Sequence, residues 1–405
     1  MYVYQDAQAV IRDLEPEEPL ILNRPHAAAR AARFFKQKFP GTCMYAVKAN
    51  PSPGLLNVLW DNGITHYDVA SITEVRLVAE TLPKAQMCFM HPVKTRKAIA
   101  EAYHQHGVKT FCLDTHEELD KIVAACAAED GTPAADLRLL VRLRVTSEYA
   151  ELSLASKFGC DLIEAPGLLQ AARQHGDWLG ITFHVGSQAM SPFAYVQGFD
   201  RTRAAIAEAQ VVIDMIDIGG GFPSIYPGMD PPPLEDYFRI IEKHFEALPI
   251  AYNAELWCEP GRALASEYSS LLVQVDKRRG DELFINDGAY GALYDAAHVD
   301  WRYPVQATPA RDASEGFREE PQDFAFFGPT CDDADYMAGP FPLPGDIAAG
   351  DYIEIGMLGA YGAAMATGFN GFGNAAQIVV ADEPMESLFR GDRVMPEADN
   401  VVALR

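Results

Sequence analysis

The sequence is short of positive charge. Lysine and arginine number 33 in 405 residues, against 57 aspartates and glutamates, for a formal net charge of −24. Such a surface repels phosphate backbones and anionic lipid, so neither nucleic acid nor a membrane surface is an expected partner. Long apolar runs are missing too: no window approaches the roughly 18 apolar residues of a membrane span. The first residues, MYVYQDAQAVIRDLEPEEP, are acidic and lack the basic start and apolar core of a secretory signal. Cysteine is sparse and unpatterned. The seven, at 43, 88, 112, 126, 160, 258 and 331, form no CxxC pair and no metal-ligand spacing, so no bound metal is expected. Reduced thiols in the cytoplasm are the simplest expectation. HExxH, GxGxxG and GxxxxGK[ST] are absent, which removes the usual signs of zinc peptidases, dinucleotide folds and P-loops. No fixed period marks a repeat. With 49% hydrophobic and 22% charged residues, the chain is composed like an ordinary globular protein.

What is present is an alternation. Short β-prone runs occur at MYAVKA (44–49), THYDVAS (65–71), AQMCFMH (85–91), KTFCLD (109–114), LRLLVRLRV (137–145), GITFHVG (180–186), VVIDMIDIGG (211–220) and ELWCEPGR (255–262). Between them lie helical stretches such as ITEVRLVAETL, TRKAIAEAYHQHG and LEDYFRIIEKHFEAL, several with apolar residues three and four apart and an end near Gly. Eight such runs with helices between them predict an α/β fold, a parallel (β/α)8 TIM-type barrel over 24–265, with a doubly wound open sheet as the alternative. After 265 the pattern changes. SSLLVQVDKRR, DELFIND, DFAFFGP and DYIEIGM read as strands without long helices, punctuated by Gly and Pro. They predict an all-β domain over 266–405, joined by residues 1–23 through the run PLILN. The acidic stretch 305–322 reads as a surface loop.

Barrels of this kind carry their chemistry at the C-terminal ends of the strands. Those ends hold Lys48, Asp68, His91, Asp114, Arg144, His184, Gly219, Gly220, Gly221, Glu259 and Arg262. A lysine on a barrel strand is costly to bury unless paired or covalently used, and burial makes its amine nucleophilic; alone, Lys48 reads more readily as a surface residue at a strand end. Three glycines after the seventh strand offer backbone N–H groups free of Cβ atoms, a cradle for phosphate, or simply a tight turn. Glu259 at the end of the eighth strand suits a heterocyclic nitrogen, and Arg262 the same phosphate; a local ion pair would use the same two residues. His184 is placed to stack on a flat ring, or to serve as a structural histidine. Ser187 can donate to phosphate or cap a turn. Taken together, a Schiff-base lysine, a phosphate cradle, a stacking ring and a carboxylate for a pyridine nitrogen fit pyridoxal 5′-phosphate (PLP).

The runs YAVKANPSP, YDVASITEV, LASKFGCDL, FHVGSQ, DIGGGFP, EPGRALA, NDGAYGALYDAAHV, FFGPTCDDAD and GAYGAAMATGFNGF span residues 45–372. In this order they resemble the fold-type III, alanine racemase-like PLP enzymes, and more narrowly the ornithine/lysine decarboxylases. The resemblance implies that Lys48 carries PLP, that His184 stacks on its ring and that Glu259 pairs with the ring nitrogen. Ser187, Gly219 to Gly221, Arg262 and Tyr361 would hold the phosphate, with Asp68 and Arg144 supporting from the rim. It also implies a homodimer with shared active sites, in which Cys331 and Asp332 reach the partner's pocket. Cys331 would return a proton to Cα, a task suited to a thiol near its working range. Asp295 and Asp332 would bind the distal ammonium of a basic amino acid, with Tyr294, Tyr290 and Phe369 nearby. The expected reaction is L-ornithine to putrescine and CO2, in polyamine biosynthesis. L-lysine to cadaverine is the alternative, with diaminopimelate decarboxylase, amino-acid racemase and non-catalytic regulator behind it. Diaminopimelate decarboxylases follow the cysteine with Glu, where this chain has Asp332. CDDAD where CDGLD is usual adds Asp333 and leaves the ornithine preference open.

Overall fold

A computed structural model describes residues 2–310 and 316–389. The chain forms two compact units: Ala32–Pro223 with Pro231–Ala263, and Met1–Ala31 with Ser224–Asp230 and Leu264–Arg405, the latter over its described residues. The boundaries expected at 23/24 and 265/266 therefore shift. The Arg24 guanidinium explains the first shift, since it donates to Ser270 Oγ at 2.8 Å, Glu354 at 2.8 Å and Asp382 at 2.6 Å, all in the β unit. Residues 224–230 join that unit through a 2.6 Å Ser224–Ser266 hydroxyl pair and Tyr226, whose ring meets Trp301 and Tyr303 edge-on.

The first-named unit is a closed parallel barrel. Its strands are β1 (Thr42–Ala46), β2 (His66–Val69), β3 (Gln86–Phe89), β4 (Thr110–Leu113), β5 (Arg138–Leu143), β6 (Trp178–Phe183), β7 (Met215–Asp217) and β8 (Glu255–Cys258). Six fall within runs read as β-prone, while β1 and β6 overlap theirs and begin two residues earlier, at Thr42 and Trp178. Closure by β8 on β1, with Trp257 opposite Thr42 and Cys258 opposite Cys43, decides against the open sheet. Met44, Cys88, Cys112, Leu140, Met215 and Trp257 come from six strands around the ring and form one buried cluster. Side chains from opposite sides of a barrel can meet only inside it, so this cluster is the interior layer. Two residues further along, the strand period of 2 points Arg142, Thr182 and Asp217 the same way. The layer above the apolar plug is thus polar, and it faces the C-terminal mouth. The helices between the strands start on side-chain caps: Ser71, Thr95 and Thr115 each accept the N–H three residues on, at 3.2, 3.1 and 3.2 Å.

One local expectation fails. Lys48 is not on β1, which stops at Ala46; it sits on a 3-10 turn, Val47–Ala49, closed by Asn50 N–H to Val47 C=O at 3.1 Å. Pro51 forces Asn50 into extended backbone and ends the turn.

The second unit holds a nine-stranded sheet. Leu20–Asn23 pairs antiparallel with Ser269–Leu272, as the PLILN run suggested. Glu282–Ile285, Pro321–Phe327 and Tyr352–Ile355 are the other anticipated strands. Val3–Tyr4, Val305–Thr308, Tyr336–Pro344 and Ala376–Val380 were not anticipated. Stretch 305–322 is therefore not one loop. Val305–Thr308 pairs with Tyr352–Ile355, and Pro321 opens a strand; residues 311–315 lie outside the described residues. Two loops of this unit are bolted together by buried Asp335. Its carboxylate accepts Ala289 N–H at 2.7 Å, Thr330 N–H at 3.0 Å and Thr330 Oγ1–H at 2.7 Å. A Cβ at Gly288 or Gly328 would run into that carboxylate, which is why both positions need glycine.

Candidate active site

At the barrel mouth, Lys48 Nζ lies 3.1 Å from Asp68 Oδ2, with the lysine 42% exposed and the aspartate buried. The amine is thus held by Asp68 on a side chain that stays partly open to solvent. His184 follows β6 and is half-buried. Its Nδ1 accepts the Gly186 N–H at 3.0 Å, so the neutral ring carries its proton on Nε2. Burial holds its pKa well below the usual histidine range, reinforced by the Arg142 and Lys48 charges.

The glycine run is shaped by what surrounds it. Gly219 and Gly221 have φ of 65° and 103°. A Cβ at Gly219 would strike the Phe183 carbonyl; at Gly220 it would lie 2.8 Å from the Glu259 carbonyl oxygen and 3.0 Å from His184 Nε2. At Gly221 it would meet Val185 at 2.7 Å. Tyr195, fully buried, donates to the Gly220 carbonyl at 3.0 Å and fixes the run from behind. Arg262 Nε donates to Ser187 Oγ at 3.3 Å, which joins two of the expected phosphate ligands.

Glu259 is buried, and its Oε1 has no hydrogen-bond partner. Beneath it, Asp217 is fully buried and accepts Thr182 Oγ1–H at 2.8 Å and Gly219 N–H at 3.0 Å. Burial, the neighbouring Asp217 and Asp68 charges and a hydrogen bond to Asp217 push Glu259 well above the usual carboxylate range.

A second constellation occupies the β unit. Tyr290 O–H donates to Asp332 Oδ2 at 2.5 Å, and Ala334 N–H donates to Asp332 Oδ1 at 3.0 Å. Both bonds favour the charged form and hold Asp332 below its ordinary pKa. Cys331 is exposed, and its N–H donates to Asn370 Oδ1 at 3.0 Å. Asn370 has φ 53°, a left-handed conformation that asparagine tolerates. The Phe369 and Tyr290 rings lie 4.7 Å apart. Asp295 is buried on the short helix Tyr294–His298. Tyr361 is half-buried in the loop after Tyr352–Ile355, with φ 60°.

Four assignments change. Arg144, expected to support Lys48, instead pairs with Asp161 at 3.3 Å and is 43% exposed, because β5 ends at Leu143 and the chain turns toward Cys160. Arg142 is the β5 arginine whose charge acts on His184. Tyr294 stacks on His298 at 4.2 Å, so Tyr290 is the tyrosine that serves Asp332. Asp114 and His91 act locally: Asp114 accepts Gly159 N–H at 2.8 Å, and His91 meets Phe158 edge-on at 5.0 Å. Both therefore order the KFG loop. The motif reading also passed over Asp217, Tyr195, Asn370 and Asp335. Strand parity with Met215 was the available signal for Asp217.

These features define a class: a barrel enzyme whose mouth combines an amine, a bare glycine run, a neutral imidazole and a buried carboxyl with one unpartnered oxygen. They fit PLP. The orphaned Glu259 Oε1 awaits a hydrogen-bonding partner such as a protonated ring nitrogen, and the glycine run, which the packing around it keeps free of side chains, leaves its backbone bare for an anion. Residues 26–266 match the model of the pyridoxal-dependent decarboxylase family, pyridoxal binding domain, and the chain belongs to that family. Among similar proteins, the lysine/ornithine decarboxylase of Selenomonas ruminantium is 32% identical over 362 residues, 87% of each chain. The arginine decarboxylase of Paramecium bursaria Chlorella virus superposes with a TM-score of 0.80 at 27% identity, covering 92% of this chain and 99% of that one. The lysine/ornithine decarboxylase of Vibrio vulnificus, complexed with cadaverine, gives 0.77 at 27% identity, covering 93% and 100%. The protein is a PLP-dependent decarboxylase of basic amino acids.

Proposed function

We propose that the substrate is L-ornithine and the product putrescine, feeding polyamine biosynthesis. The observation that carries this is Asp332, held anionic beside Cys331 by Tyr290 and Ala334. A distal ammonium leaving water needs such a carboxylate. Asp295 supplies a second. L-Lysine differs from ornithine by one methylene and is the alternative, since the Selenomonas relative is named for both. A cytoplasmic setting suits seven free cysteines.

When bound, PLP supplies the sink for the electrons left as the Cα–carboxylate bond breaks. The chain's residues do the rest. Lys48 presents its amine to the cofactor aldehyde, and Asp68 keeps that amine in place. Ser187, Arg262 and the glycine run bind the phosphate, and we assign Tyr361 to the same task. His184 covers the ring face as a neutral imidazole, adding no charge beside the pyridine. Glu259 holds the ring nitrogen in its protonated form. Cys331 returns a proton to Cα, from the partner subunit in a head-to-tail homodimer. Measuring CO2 release from L-ornithine, L-lysine, L-arginine and meso-diaminopimelate side by side tests the substrate: ornithine should lead, and a higher kcat/KM for any of the others would overturn the assignment. Mixing Lys48→Ala with Cys331→Ala subunits should restore activity; hybrids that form without rescue would exclude the shared site.

A further inference from the structure

Beside Glu259 the barrel core holds a second carboxyl, Asp217, for which the steps above have no use. Asp217 ends β7 and Glu259 directly follows the adjacent strand β8, and both are buried. Asp217 accepts two hydrogen bonds, from Thr182 and Gly219, so its carboxylate is well supported. Glu259 has no comparable support: its Oε1 is buried without any partner. The groups facing the pair are mostly unhelpful to a second negative charge. Asp68 on β2 opposes it, and the Cys88, Cys112 and Cys258 thiols on β3, β4 and β8 are themselves pushed up by burial. His184 after β6 is neutral. Arg142 on β5 acts on His184 and Cys112. Lys48 is the favourable charge on Glu259, but it already pairs with Asp68. Two adjacent buried carboxylates cannot both stay ionised on that support.

We propose that Asp217 and Glu259 hold one proton between them in the cofactor-free protein, and that Glu259 passes it to the ring nitrogen when PLP binds. The step balances. One O–H bond of Glu259 breaks, one N–H bond forms, and a carboxylate is left facing the pyridinium it created. Asp217 keeps its charge throughout and acts as the positioning residue. Thr182 and the Gly219 N–H fix it in the orientation that receives the Glu259 hydrogen bond. The protein thereby stores the proton that the reaction's electron sink requires, on a buried carboxyl pair. The proposal rests on the assignment of the barrel mouth as the PLP site.

Infrared difference spectroscopy of PLP binding to the apoenzyme, at mildly alkaline pH, tests it. Loading with PLP should remove one deuterium-sensitive carboxylic-acid C=O band. Loading with the 1-deaza analogue, which has no ring nitrogen to receive a proton, should leave the band in place. A band lost with both, kept with both, or absent from the apoenzyme would overturn the proposal, and the wild-type protein alone decides this. Asp217→Asn should abolish the apoenzyme band, since amide donors favour an ionised Glu259. An unaltered band in that variant would remove Asp217 from the device. Borohydride labelling of Lys48 separates the two claims: label with the wrong infrared pattern sinks only the stored proton, whereas no label sinks the site and the proton with it.

Discussion

Gly220→Ala tests the cradle with a single methyl. The Gly220 φ is not in the left-handed region, so the backbone tolerates alanine there, and the effect is steric. The new Cβ would lie 2.8 Å from the Glu259 carbonyl oxygen and 3.0 Å from His184 Nε2, where ordinary contact begins at 3.4 Å. The neighbours must therefore give by about 0.6 Å, the difference between 3.4 and 2.8 Å. The oxygen is main chain and cannot swing aside, so the strain falls on the residue meant for the ring nitrogen and on the imidazole meant for the ring face. Overpacking of this kind costs about 1–3 kcal/mol. Expressed on the cofactor, that is about a tenfold to hundredfold loss of PLP affinity. Titrating apoenzyme with PLP by visible absorption, alongside a thermal melt of the apoenzyme, measures both parts. Gly219→Ala should be worse by a further ~1–2 kcal/mol, because its φ of 65° is also lost to strain. A Gly220→Ala protein that binds PLP within twofold of wild type would refute the cradle.

Three further outcomes follow from the geometry. Asp335→Ala strips three hydrogen bonds from two buried loops; it should cost about 3 kcal/mol or more and lower activity through the loops that carry Tyr290 and Cys331, as denaturant unfolding with parallel rates would show. Arg142→Met should cut kcat/KM at least tenfold, while Arg144→Met, which loses only an exposed ion pair, should stay within about 1 kcal/mol of wild-type stability and near wild-type rate; steady-state kinetics of the pair decide, and equal effects would reject the exchange of roles. His66 is pushed down to about 4, chiefly by burial and then by the Lys36 and Arg138 charges. Its folded pKa is depressed, so the neutral ring contributes stability that is present above 6.5 and lost as pH falls toward 4, about 3 kcal/mol in all. His66→Gln should flatten that acid limb, and an unchanged slope in urea midpoints against pH would show that the ring is solvated.

The parts of the site legible in the sequence were those whose residue type is fixed by local constraint. Gly219 and Gly221 need positive φ, and Gly220 faces a carbonyl, so no other residue fits and the triplet stands out. Eight β-prone runs were enough to place the barrel, because its strands are short, apolar and regularly spaced by helices. Arginine identity on β5 was not legible. Arg142 and Arg144 have the same parity, and only the point where the strand stops, at Leu143, separates the inward one from the outward one. Asp217 escaped notice because a carboxylate at a strand end resembles any loop-facing polar residue until its burial is known. Tyr290 and Tyr294 sit four residues apart in one motif, and the turn that aims one at Asp332 and the other at His298 depends on Asp335, over 40 residues away. The strands Tyr336–Pro344 and Ala376–Val380 carry Pro or flanking Gly and lack clean alternation, so periodicity did not reveal them.

The account depends on one amine. Reducing PLP-loaded enzyme with borohydride and mapping the peptides should place the pyridoxyl group on Lys48, in the segment YAVKANPSP, with the visible band lost in Lys48→Ala. A folded, cofactor-saturated protein that carries the group on any other side chain, or on none, would contradict it.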